Sequence, residues 1–84
     1  MIYTVFIRKS AQKSIARLAV SIQDRIFHAI RELANNPRPM GVKKLSGREA
    51  WRIRIGDYRV IYEIYDDRRI VIVIVVGHRR EVYR

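Results

Sequence analysis

The chain contains no cysteine. Disulfides, thiolate metal sites and cysteine nucleophiles are therefore excluded. Histidine occurs only twice, which leaves no histidine-rich metal site. Proline is found twice and glycine four times, too few for a low-complexity segment. Long apolar runs are also missing. The longest, Ile70–Val76, falls far short of the ~20 residues that cross a bilayer. The N-terminal stretch Met1–Ser10 has no basic region ahead of its apolar residues and no small-residue cleavage site. The expectation is a soluble cytoplasmic protein with no membrane partner. Acidic residues are scarce: eight, against eighteen Lys and Arg, for a net charge of +10. Both halves of the chain are basic, so the charge is not a detachable tail. Such an excess fits a polyanionic partner.

What is present suits one small core. The chain has 84 residues, 49% of them hydrophobic, which makes residues 1–84 a single domain. Ile2–Arg8 alternates and is rich in β-branched and aromatic residues, the pattern of a strand. Ser10 is a candidate cap for a following helix through Ala11, Ile15 and Leu18. Ser21–Asp24 has the form of a capping box. After it, Ile22, Ile26, Phe27, Ile30, Leu33 and Ala34 form one apolar stripe at helical spacing. Asn35-Asn36-Pro37 ends that helix, because proline disfavours a helical residue before it. Trp51–Ile55 alternates apolar and basic residues, and Tyr58–Tyr65 continues the alternation. Gly56-Asp57 between them is a two-residue turn with glycine first, the type II′ signal. Asp66–Arg69 is a second turn. Ile70–Val76 is apolar throughout, so both its faces should be covered. The predicted fold is α+β: a mainly antiparallel four-stranded sheet with an N-terminal helical hairpin packed on one face.

The tight turn fixes a register. Ile55 faces Tyr58, Arg54 faces Arg59, Ile53 faces Val60, Arg52 faces Ile61, and Trp51 faces Tyr62. Side chains alternate between the two faces. The apolar members then share the core side, and Arg52, Arg54 and Arg59 share the other. Like charges set directly opposite cost ~0.2–1 kcal/mol per pair, so the arrangement gains from an anion between them. Glu63, on the same side, can offset one charge of the three. A second basic cluster, Gly77–Arg84, follows the buried strand. It holds His78, Arg79, Arg80 and Tyr83. Neighbouring cations would lower the phenol pKa of Tyr83. His78 can stack on a base or be satisfied by backbone. Lys43, Lys44, Arg48 and Arg80 suit phosphate contacts or plain solvation. His28 lies on the polar face of its helix and is an ordinary surface residue.

Three segments together resemble the RelE branch of the RelE/ParE toxin superfamily. They are Lys44-Leu-Ser-Gly47, Trp51–Tyr62, and Val76-Gly-His-Arg-Arg-Glu-Val-Tyr83. The resemblance spans essentially the whole chain and implies a RelE-like fold. It implies the toxin of a type II toxin–antitoxin pair, a ribosome-dependent endoribonuclease that cuts mRNA in the A site. The substrate's own 2′-hydroxyl would be the nucleophile, giving 2′,3′-cyclic phosphate and 5′-hydroxyl ends. No metal or other cofactor is implied. The implied partners are mRNA, the ribosome and a cognate antitoxin held in a hetero-oligomer. By position, the family's catalytic residues fall on Arg52, Arg54, Arg59, Arg79 and Tyr83. Lys43, Lys44, Arg48, His78 and Arg80 are candidate RNA contacts. The best-known relatives carry lysine where Arg52 and Arg54 stand here. Arginine does not deprotonate in proteins, so neither can be a general base, and Tyr83 becomes the candidate. Two rival readings remain: a ParE-like toxin acting on DNA gyrase, and a non-catalytic basic nucleic-acid-binding module.

Overall fold

The computed structural model describes residues 2–82. The strands are β1 (Thr4–Ile7), β2 (Lys43–Lys44), β3 (Trp51–Ile55), β4 (Tyr58–Tyr65) and β5 (Ile70–His78). The helices are α1 (Lys9–Ala16), α2 (Val20–Glu32) and a short α3 (Arg79–Val82). The five strands form one sheet in the order β1-β5-β4-β3-β2. β1 runs parallel to β5, and every other pairing is antiparallel. The sequence-based expectation of four strands is short by one. β2 is only two residues long, and a pair of lysines carries no strand periodicity. It forms because β3 offers an open edge to pair with.

The helical hairpin covers one face of the sheet, as the apolar stripes require. Ala11 and Ile15 of α1, and Ile26 and Ile30 of α2, are buried with Leu33 against Ile53, Val60, Tyr62, Val71, Val73 and Val76. Each such side chain contributes ~1.5–3 kcal/mol by leaving water. Neither predicted cap forms. α1 starts at Lys9 after Arg8, and α2 starts at Val20 after Ala19, with no side-chain cap at either. The chain turns sharply between the helices, and Gln23 Nε2 donates instead to the Leu18 carbonyl at 2.8 Å.

The loop after α2 is fastened to the sheet by polar contacts. The Tyr62 hydroxyl, buried beneath the loop, donates to the Pro37 carbonyl at 2.6 Å. Burial holds this phenol protonated well above the usual tyrosine range. Arg38 makes a two-pronged contact with Asp66 at 2.8 and 3.2 Å, and the Tyr3 hydroxyl donates to the same carboxylate. These two partners, Arg38 first, pull the Asp66 pKa down to about 2. The Arg38 guanidinium also lies 4.9 Å from the centre of the Trp51 ring. This arginine is thus engaged in holding the fold.

One irregularity organises the far end of β5. Ile61 pairs with Val75 but Tyr62 pairs with Val73, which leaves Ile74 as an extra residue, a β-bulge. Before it, Val71 and Val73 face the helices; after it, Val76 does. Ile74 joins Ile61 and Ala50 in a small second cluster on the opposite face, flanked by Leu45, Ile72 and Val75. The unbroken apolar run is explained: both faces of β5 are indeed covered, though unequally. β5 also runs on through Gly77 and His78. Gly77 therefore stays inside the sheet.

Candidate nucleic-acid interface

The register expected from the turn is the register found. Trp51 pairs with Tyr62, Arg52 with Ile61, Ile53 with Val60, Arg54 with Arg59, and Ile55 with Tyr58. Gly56 has φ +60 and Asp57 has no positive φ, as a type II′ turn requires. Arg52, Arg54 and Arg59 consequently project from the face away from the helices. Lys43 pairs with Arg52 and adds a fourth cation to that face. Lys44 is one residue on and so belongs to the other face. There it lies 5.8 Å from the Trp51 ring and 3.3 Å from Glu49. Of the two lysines, the structure brings only Lys43 to the arginines.

Arg59 departs from the picture of three solvent-splayed guanidinium groups. It is only 6% exposed, the single charged residue buried among those described. Its Nη1 donates to the carbonyls of Tyr58 at 3.2 Å and Gly56 at 3.4 Å, folding the side chain back toward its own turn. Its Nε is buried without a hydrogen-bond partner. Among the described residues no carboxylate lies within ion-pair distance of it. Glu63 does not offset this charge. It lies four residues further along β4, about 13 Å at strand rise, and it accepts the Tyr65 hydroxyl at 2.9 Å. Arg54 is exposed and Arg52 half-buried.

The neighbour of Arg59 on β5 is Gly77. One side of the Arg59 position therefore carries no side chain at all. Arg79 opens α3, and its backbone N–H donates to the Asp57 carbonyl at 2.8 Å. This bond ties the start of α3 to the hairpin turn and brings the exposed Arg79 to the same end of the sheet as Arg59. Arg80 is exposed on α3 as well. Its N–H donates to Nδ1 of His78 at 3.3 Å. A neutral His78 then carries its proton on Nε2. Arg48 is exposed in the turn between β2 and β3, where its N–H meets the Leu45 carbonyl at 3.4 Å. That turn lies at the opposite end of β3 from Gly56. Tyr83 lies outside the described residues.

The sequence reading missed Arg25. It belongs to the polar side of α2, yet its guanidinium comes within 4 Å of where a Cβ on Gly56 would stand. No periodicity reports this, because it depends on how α2 crosses the sheet. Among the described residues no group of three or more His, Asp or Glu gathers as metal ligands would. No described helix is long and apolar enough to cross a membrane.

A small α+β fold whose mainly antiparallel sheet carries basic side chains on its open hairpin face is the class that this fold and site define. Residues 5–83 match the family model for the ParE toxin of the type II toxin–antitoxin system parDE. The chain belongs to this family of type II toxins, on the RelE side of it. It is 33% identical to the putative toxin RelE1 of Methanocaldococcus jannaschii, over 100% of this chain and 98% of that one. It is 30% identical to toxin RelG of Mycobacterium tuberculosis, over 100% and 99%. Among solved structures, the RelE–RelB complex of Pyrococcus horikoshii superposes with a TM-score of 0.85. That match has 28% identity and covers 98% of this chain and 100% of that one. The protein is a toxin of the RelBE type.

Proposed function

We propose that the protein is an mRNA endonuclease that works in the ribosomal A site. The observation that carries this is Arg59: a buried guanidinium with no carboxylate at ion-pair distance among the described residues, facing Arg54 on one side and Gly77 on the other. A buried cation lacking an anion is costly to keep. A phosphate entering above Gly77 supplies that anion, and guanidinium groups suit its oxygens.

The reaction follows from the groups available. The 2′-oxygen of the message attacks the adjacent phosphorus, and the bond from phosphorus to the 5′-oxygen of the next nucleotide breaks. Arg54 and Arg59 stabilise the phosphorane oxygens, where each positioned donor is worth roughly 10²–10³ in rate. Arg52 orients the strand, with Lys43 beside it. Tyr83 accepts the 2′-hydroxyl proton. Arg79 stabilises the departing 5′-oxygen, which takes up a proton from water. The products are a 2′,3′-cyclic phosphate and a 5′-hydroxyl. Arg48 and Arg80 are further backbone contacts. The requirement for RNA comes from the nucleophile.

A cognate antitoxin follows from the same charge. Solved relatives are complexes of RelE with RelB, and an acidic segment laid on this face would neutralise Arg52, Arg54 and Arg59. A gyrase-directed reading has one observation in its favour, the ParE description of the matching family model. Mapping message ends in a reconstituted translation system separates the two. Cuts within the A-site codon, lost when the cleavage nucleotide is 2′-deoxy, support the nuclease. An intact message with inhibited gyrase supports the alternative.

A further inference from the structure

A cavity lies on the helix side of the sheet, around the corner from Arg59. Its volume is about 360 Å³, and Ser14, Arg17, Leu18, Tyr58, Val76 and His78 line it. The bulge at Ile74 builds it. By shifting the register one residue, the bulge sets His78 rather than Gly77 opposite Tyr58. The two rings meet edge to face, 5.7 Å apart and at 82°. Perpendicular rings form a corner in which a flat heterocycle can stack on one ring and meet the edge of the other. Leu18 and Val76 supply an apolar floor. Arg17 supplies the charge: it is exposed, and among the described residues its guanidinium has no ion pair or hydrogen bond. Among the described residues no acidic side chain lines the cavity. At the C-terminal end of α1 two carbonyls are already engaged. Ser14 and Ile15 carbonyls accept the N–H groups of Arg17 and Leu18, and the Leu18 carbonyl accepts Gln23.

We propose that this cavity is a nucleotide subsite. It takes one nucleoside monophosphate unit, with the base in the Tyr58–His78 corner and the phosphate on Arg17. The volume lies in the range of small-ligand sites. The Ser14 hydroxyl donates to the Ser10 carbonyl at 3.1 Å, which leaves its lone pairs to accept from a ribose hydroxyl or base amine. The unit comes either from the RNA strand, as it rounds the sheet end from the arginine face, or from a free mononucleotide. The subsite extends the proposed nuclease reading but does not need cleavage to be seen.

The test is a titration of the full-length ¹⁵N-labelled protein followed by NMR. The probes are AMP, CMP, inorganic phosphate, and a short 2′-O-methyl oligoribonucleotide that cannot be cut. Mononucleotides should shift the amides of Ser14–Leu18 and Val76–His78, and phosphate alone should shift them much less. Arg17→Glu should weaken the effect about tenfold or more, the scale of one charge-assisted contact. Arg31→Glu makes the same charge change on the exposed side of α2 and should leave it intact. The spectrum of each variant reports its folding directly. An oligonucleotide that binds at least about tenfold tighter than AMP marks the strand as the source, and equal affinity marks the free nucleotide. The inference is overturned if these amides stay still up to about 10 mM nucleotide. It is also overturned if only hairpin amides move, or if the two charge reversals weaken binding equally. Loss of message cleavage with these shifts present would remove the nuclease reading and leave the subsite standing. The reverse result would remove the subsite alone.

Discussion

Arg54 and Arg59 stand directly opposite each other across the β3–β4 hairpin, and only Arg54 reaches solvent. The pair costs the free protein stability. Facing like charges on a sheet are worse than neutral pairs by ~0.2–1 kcal/mol. A buried charge with no counter-ion is costly to keep, and an apolar side chain of similar volume removes that cost. Arg59→Met should therefore leave urea-unfolding stability equal to or above that of the parent. Single-turnover cleavage of ribosome-bound message should fall roughly 10²–10³-fold. A variant that loses stability in step with activity would mark Arg59 as a structural residue.

Tyr83→Phe should slow cleavage on the ribosome by roughly 10²–10⁴ while binding to ribosomes changes little. The phenol is assigned the proton because the arginines set around the reacting phosphate, Arg52, Arg54, Arg59 and Arg79, do not deprotonate in proteins. Cleavage at the parental rate in this variant removes Tyr83 from the chemistry.

The turn that sets the register rests on Gly56 at φ +60. A side chain there meets no clash, since the nearest atom, on Arg25, is 3.8 Å from the Cβ position. Its cost is backbone strain. Gly56→Ala should destabilise the protein by ~1–2 kcal/mol in chemical denaturation. A neutral result would show that the turn adapts to another type.

Tyr62→Phe should cost ~1–3 kcal/mol at neutral pH, because it orphans the Pro37 carbonyl. The folded phenol titrates above its ordinary ~10. Its contribution is then whole below pH ~10 and is lost as pH rises beyond it. The parent should lose stability on that alkaline side more steeply than the Phe variant. Parallel alkaline profiles would contradict the buried hydroxyl.

Asp66 behaves in the opposite sense. Its folded pKa of about 2 lies below the ordinary ~3.9. The stabilisation it provides is present above pH ~4 and disappears as pH falls toward about 2. Asp66→Asn should melt below the parent at neutral pH, and the gap should close in acid. Because the carboxylate is solvent-exposed, salt should narrow the gap too.

The amino-acid sequence alone determined the hairpin and everything that follows from its period. Glycine first in a two-residue turn sets the pairing, and alternation then sorts Trp51, Ile53 and Ile55 from Arg52 and Arg54. The helical stripes through Ile15 and Ile26 are equally local, since burying one face of a helix needs apolar residues at fixed spacing. The helix starts were misread at Ser10 and Ser21. Capping side chains are weak signals, and here the packing of the helical hairpin sets where each helix begins. The two-residue β2 was invisible because its pairing comes from β3.

Tertiary structure decided what surrounds the arginines. A run of seven apolar β-branched residues has no internal mark for its face, so nothing in Ile70–Val76 shows where a residue is left over. Pairing with β4 inserts the bulge at Ile74. That one-residue shift puts Gly77 beside Arg59 and His78 beside Tyr58. The burial of Arg59, the reach of Arg25 to Gly56, and the corner near Arg17 depend on how helices and sheet pack. Local periodicity carries no such information, because these contacts join residues distant in the chain.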